Sequence, residues 1–163
     1  MTVDTTAAGS PHSDSIFPPG TIERHPTIPS ATLARKVLVV EHDWALRNLI
    51  ADVFAFEGYF VTEADDETIL LGALSEAAHR HFDLIVLGIQ MHGTLGIDAL
   101  TRLRESGCRT PAIVLTELPK AAIAEEMNGL DARYLEKPFA LEHLRVIANN
   151  MLHARKCSFG LLD

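Results

Sequence analysis

Val37-Leu38-Val39-Val40-Glu41-His42-Asp43 is the stretch that decides the fold of this chain. Its apolar run is unbroken and mostly β-branched. A strand with one wet face alternates polar and apolar side chains, so this one is expected to be buried on both faces. The polar trio marks the strand's carboxyl end. Asp43 is placed to cap a helix whose apolar face is expected to be Trp44, Leu46, Leu49, Ile50, Val53 and Phe54, ending at Gly58.

The alternation then repeats. Strands are predicted at Tyr59-Phe60-Val61-Thr62, Leu84–Leu87, Ala112–Leu115 and Tyr134-Leu135, the last halted by Pro138. Helices are predicted over Glu67–His79, Ile97–Glu105, Lys120–Asn128 and Leu141–Leu152. Short apolar strands joined by helical crossovers predict an α/β fold, a doubly wound, five-stranded parallel sheet with helices on both faces. Ligands and reactive groups in such sheets gather at the carboxyl ends of strands, where Glu41, Gly88, Thr116 and Lys137 fall.

At 163 residues the chain suits one domain. Residues 1–35 hold five prolines and little apolar side chain, and are expected to be a disordered or loosely ordered tail. The domain is expected over residues 36–153, with a short C-terminal tail over 154–163. Acidic residues number 22 against 14 basic, a net charge of -8, which argues against direct nucleic-acid binding. Cys108 and Cys157 have the spacing of neither a disulfide framework nor a metal site. No run reaches the roughly 18 apolar residues of a membrane span, and no secretory leader is read at the N-terminus. A soluble cytoplasmic protein without membrane contact is the expectation. Glycine-rich phosphate loop, nucleophile elbow and zinc-protease signatures are all missing, so no enzyme activity, catalytic residue, cofactor or metal is assigned.

Four motifs, in order and at matching spacing, resemble the receiver domain of bacterial two-component response regulators. They are Val37–Asp43, Asp83–Gly93, Pro111–Thr116 and Tyr134-Leu135-Glu136-Lys137-Pro138-Phe139. The resemblance covers about Lys36 to His153 and implies a flavodoxin-like strand order, 2-1-3-4-5. In that family a phosphohistidine of a histidine kinase or phosphotransfer protein donates a phosphoryl group to an aspartate. Magnesium sits between that aspartate and two acidic residues, while a lysine, a threonine hydroxyl and an aromatic side chain respond to the new charge.

Aligned on those motifs, Gly88 stands at the acceptor position, so nucleophile and metal ligand are lost together. His42 stands where a second acidic residue is expected, and imidazole is a poor magnesium ligand. Glu41 remains, and Asp43 is read as the helix cap. Thr116, Tyr134, Lys137 and Pro138 keep the frame of the switch. For Lys137 three roles stay open: a contact with Glu41, a contact with an anionic ligand beside Thr116, or simple inheritance with solvent around the ammonium. Thr116 can be a polar strand end, and Tyr134 ordinary half-buried packing.

The function expected is that of an atypical stand-alone receiver. It is not phosphorylated conventionally and works through protein–protein interaction, with a histidine kinase, a phosphotransfer protein or another regulator, or as a homodimer. The face from Pro119 to Leu152 is the expected contact. Two alternatives are a sensor using the altered pocket, for a small anionic ligand beside Lys137 and Thr116 or for a metal at Glu41, His42, His92 and Thr116, and an ordinary receiver phosphorylated at a non-standard residue such as Asp83, Asp98 or Glu117.

Overall fold

The computed structural model describes residues 20–24, 35–66, 82–89 and 95–157. The strands are β1 (Ile22–Arg24), β2 (Lys36–Val40), β3 (Phe60–Ala64), β4 (Leu84–Ile89), β5 (Ala112–Thr116) and β6 (Ala132–Glu136). The helices are α1 (Trp44–Phe56), α2 (Leu95–Glu105), α3 (Lys120–Ile123) and α4 (Leu141–Cys157). The helix expected over Glu67–His79 lies outside the described residues.

The sheet corrects the expected five-stranded, wholly parallel 2-1-3-4-5 arrangement. Among the described residues it has six strands in the order β1-β3-β2-β4-β5-β6, and β1 runs antiparallel to β3. The additional strand comes from a segment expected to stay outside the folded unit. Its sequence has too little apolar content to announce a strand, and its place is held by long-range contacts of Arg24 with Glu63, Asp52 and Asn48. The remaining four pairings are parallel.

Side chains alternate across the sheet with a period of two, so each strand feeds two cores. Val37, Val39, Leu84, Val86, Ile113, Leu115 and Leu135 pack against Ile50 and Phe54 of α1 and Leu144, Ala148 and Leu152 of α4. Leu38, Val40, Ile85, Leu87, Ile89, Ala112 and Val114 pack beneath Ile97, Leu100 and Leu103 of α2 and Ile123 of α3. This double coverage explains why the strands are continuous apolar runs.

Two details differ from the periodic reading. Trp44 and Leu49 are 70% and 51% exposed, while Arg47 is buried in the face between them. Ile50 and Phe54 of the expected apolar stripe are in the core and Leu46 packs against it, whereas Trp44 and Leu49 lie outside, and Arg47 turns inward because it has main-chain carbonyls to bind. The helix expected over Lys120–Asn128 holds helical geometry only through Ile123, with turns following to Gly129 at φ +78°.

Candidate functional site

Parity brings the site together. Val37, Val39 and Glu41 share one face of β2 and its extension, as Leu84, Val86 and Gly88 share one face of β4. The register Val40↔Leu87 carries forward to set Glu41 beside Gly88. Leu135 points to the same face, so Lys137, two residues on, converges there too. The main chain of Lys137 is pinned by its N–H donating to the Thr116 carbonyl at 2.7 Å, followed by a cis Lys137–Pro138 bond.

The Glu41 carboxylate fills the space above Gly88. A Cβ at position 88 would stand 2.1 Å from Glu41 Oε2 and 2.7 Å from its Cδ. Glu41 is 4% exposed, and both its oxygens are engaged. Lys137 Nζ donates to Oε2 at 2.7 Å, and the Asp43 N–H donates to Oε1 at 3.0 Å. The glycine at 88 has a direct consequence for packing. It opens the volume into which a neighbouring strand's carboxylate extends, and the lysine is neutralised by that substitute.

The loop beneath is held by two groups. Asp43 caps α1, its Oδ1 accepting from the Leu46 N–H at 3.0 Å. That bond, ahead of the cost of desolvation and the weaker help of the Ala45 N–H, holds its carboxyl below the ordinary value of 3.8. Arg47 was missed by sequence reasoning. Its Nη1 donates to the carbonyls of Glu41 at 2.6 Å and His42 at 3.5 Å, which fixes the turn after β2. A charged residue at an inward helical position was the available signal. The His42 residue itself is exposed.

Thr116 and Tyr134 belong to the other side of the sheet, in the parity of Val114 and Ala112. Thr116 is fully buried, and its Oγ1 accepts from the Leu118 N–H at 2.9 Å, closing its own turn. Tyr134 is half-buried against the α2–α3 core, with Lys120 Nζ 5.8 Å from the ring centroid. That distance suits a cation–π contact. The ring also lines a groove of about 750 Å³ between α3, β6 and α4, with Ile123, Met127, Ile147 and Met151.

The magnesium implied by the resemblance does not fit these residues. Gly88 offers no side-chain oxygen, Glu41 is already committed to Lys137 and Asp43, and Asp43 to its cap. Among the described residues no group of three or more histidine, cysteine, aspartate or glutamate side chains is placed to hold a metal ion. His92 lies outside the described residues. Of the alternative acceptors, Asp83 is occupied at the opposite end of β4, where Oδ2 accepts from the Lys36 N–H at 2.8 Å. Asp98 and Glu117 are exposed, on α2 and after β5. No helix among the described residues is long and apolar enough to cross a membrane.

Comparison with known proteins agrees with this frame. The model of the response regulator receiver domain matches residues 37–149. The response regulator MprA of Mycobacterium sp. (strain KMS) is 37% identical over 112 residues, 67% of this chain and 46% of that protein. The chain thus spans about half the length of the curated relatives it matches. The receiver domain of the Francisella response regulator 1452 superposes with a TM-score of 0.66 at 28% identity, covering 74% of this chain and 98% of that one. The Vibrio cholerae chemotaxis protein CheY4 superposes with a TM-score of 0.63 at 25% identity, covering 72% and 98%.

Proposed function

The chain belongs to the response regulator receiver family, and from that premise we propose that it serves two-component signalling without accepting a phosphoryl group in the ordinary way. It acts through the protein surface it presents. One observation carries the reading: the Glu41 carboxylate, paired with Lys137, stands in the volume that an acceptor side chain at 88 would need.

Phosphoryl transfer to a carboxylate requires an accessible nucleophilic oxygen, and cations free to meet the phosphoryl oxygens. Glu41 is a carboxylate, but one only 4% exposed with both oxygens hydrogen-bonded. Lys137 is spent on it. In a phosphorylated receiver, charge at the acceptor would reorganise the lysine, threonine and aromatic residues. Here the charge is built in, so the groove beside Tyr134 keeps one shape. That groove, within the face Pro119–Leu152, is the contact we assign to a histidine kinase, a phosphotransfer protein, another regulator or a second copy. Ligand or metal sensing in the pocket gains no support from a carboxylate whose oxygens are already satisfied.

The test is direct. Full-length chain is treated with acetyl phosphate and magnesium, measured by intact mass spectrometry, and used before and after treatment to capture interacting proteins. The expected outcome is no phosphoryl adduct and an unchanged captured set. An acid-labile adduct, or a set that changes with treatment, overturns the proposal.

A further inference from the structure

Arg24 makes more contacts than a three-residue strand needs for register. Its Nε donates to Glu63 on β3, while Nη1 and Nη2 reach Asp52 and Asn48 on α1. Glu63 is 1% exposed, and its second oxygen, Oε2, has no hydrogen bond among the described residues, with Arg47 Nε 3.7 Å away. The rest of β1 contributes little burial, since Ile22 is 50% exposed and Glu23 is exposed. Docking therefore combines two elements: main-chain pairing with Val61–Glu63, and one guanidinium read by a carboxylate on the strand and a carboxylate and amide on the helix. Main-chain pairing for affinity with one side-chain pocket for selectivity is how sheet edges take up extended peptides, and a planar guanidinium fork suits the carboxylates.

The connection makes exchange possible. Arg24 pairs with Val61 and Lys36 with Phe60, so residues 25–35 join two points at the same end of β3. Those points are two strand spacings apart, about 10 Å, whereas such a segment spans roughly 35 Å when extended. The arm is thus a tethered occupant at an effective concentration of about millimolar.

We propose that the β3 edge with Glu63, Asp52 and Asn48 is an acceptor site for an extended, arginine-bearing segment of a partner protein. The chain's own Ile22–Arg24 fills that site as a built-in competitor. The site uses other side chains than the Glu41–Lys137 pocket, and Arg47 lies between the two, its Nη1 on the Glu41 carbonyl and its Nε 3.7 Å from Glu63 Oε2.

The experiment measures fluorescence anisotropy of a labelled synthetic peptide of residues 18–27 against full-length chain. Wild-type protein and Arg24→Ala, which loosens the tethered arm, are compared. At least tenfold tighter binding to Arg24→Ala is expected. At least tenfold loss is expected when the peptide's arginine is replaced by alanine, or when Asp52→Ala is added to the protein. Equal binding to wild type and variant overturns the proposal, as does absence of binding to a folded Arg24→Ala protein at millimolar peptide. A concentration-dependent dimer of the wild-type chain, dissociated by Arg24→Ala, means that a second copy's arm fills the edge, and overturns the assignment to a different partner. Should Arg24→Ala not fold, Arg24→Lys, which keeps the charge and loses the fork, takes its place under the same criteria.

Discussion

Gly88→Ala adds one methyl group where 2.1 Å separates the new Cβ from Glu41 Oε2. An ordinary contact begins near 3.4 Å, so the carboxylate must retreat by more than an ångström. It cannot do so and keep both the 2.7 Å bond from Lys137 and the 3.0 Å bond from the Asp43 N–H. A hydrogen bond to a charged group contributes about 1.5–3 kcal/mol. Against that, replacing glycine lowers the entropy of the unfolded chain by about 0.4–1 kcal/mol. A net loss of about 1–2 kcal/mol follows, measured by urea denaturation followed by circular dichroism. The decisive control is the same substitution in a Glu41→Ala background, where nothing is left to displace. There Gly88→Ala is expected to be neutral or slightly stabilising, giving a coupling energy above about 1 kcal/mol. Additivity of the two substitutions to within about 0.5 kcal/mol would falsify the claim that Glu41 fills the acceptor volume. The same geometry says that Gly88→Asp alone does not restore phosphorylation, because two carboxylates would compete for one lysine. Shortening the competitor in the pair Glu41→Asp, Gly88→Asp is the combination expected to gain magnesium-dependent labelling by acetyl phosphate.

Lys137→Met leaves the Glu41 carboxylate buried without its cation. With Lys137 itself only partly buried, the expected loss is about 2–3 kcal/mol by chemical denaturation, and a change below about 0.5 kcal/mol would show that the pair contributes nothing. Arg47→Met removes the donor to the Glu41 and His42 carbonyls and the cation 3.7 Å from Glu63 Oε2. About 2–4 kcal/mol of destabilisation is expected in the same assay, and wild-type stability would mean that the turn holds without it. Asp43 has a folded-state pKa below its unfolded value, so its contribution is complete above 3.8 and is lost as pH falls through the folded value. Asp43→Asn should therefore flatten the acid limb of the stability–pH profile and leave the neutral-pH slope alone, and an unchanged acid limb would refute the assignment.

Strand positions were legible because they are a matter of hydrophobic pattern. Val37–Val40 and Ala112–Leu115 are buried on both faces, and only apolar residues are tolerated there. The placement of Glu41, Gly88, Thr116 and Lys137 at or just beyond the carboxyl ends of strands was equally readable from pattern and spacing. Helix faces were less so. Trp44 and Leu49 have the residue type of a core stripe and sit outside it, while Arg47 has the type of a surface residue and is buried. Residue type measures preference for water, and a buried guanidinium with carbonyls to bind satisfies that preference inside.

What only the tertiary structure decided were the contacts between residues far apart in the chain. That Glu41 rises over Gly88 to meet Lys137 depends on the register of four strands, β2, β4, β5 and β6. That Ile22–Arg24 joins the sheet depends on Glu63, Asp52 and Asn48 meeting at one edge. The local sequence determines which segments bury themselves and which residue types are available for chemistry, because burial and spacing are properties of a short window. Which carboxylate meets which cation is settled by distances across the folded sheet, and no window of the sequence contains both partners.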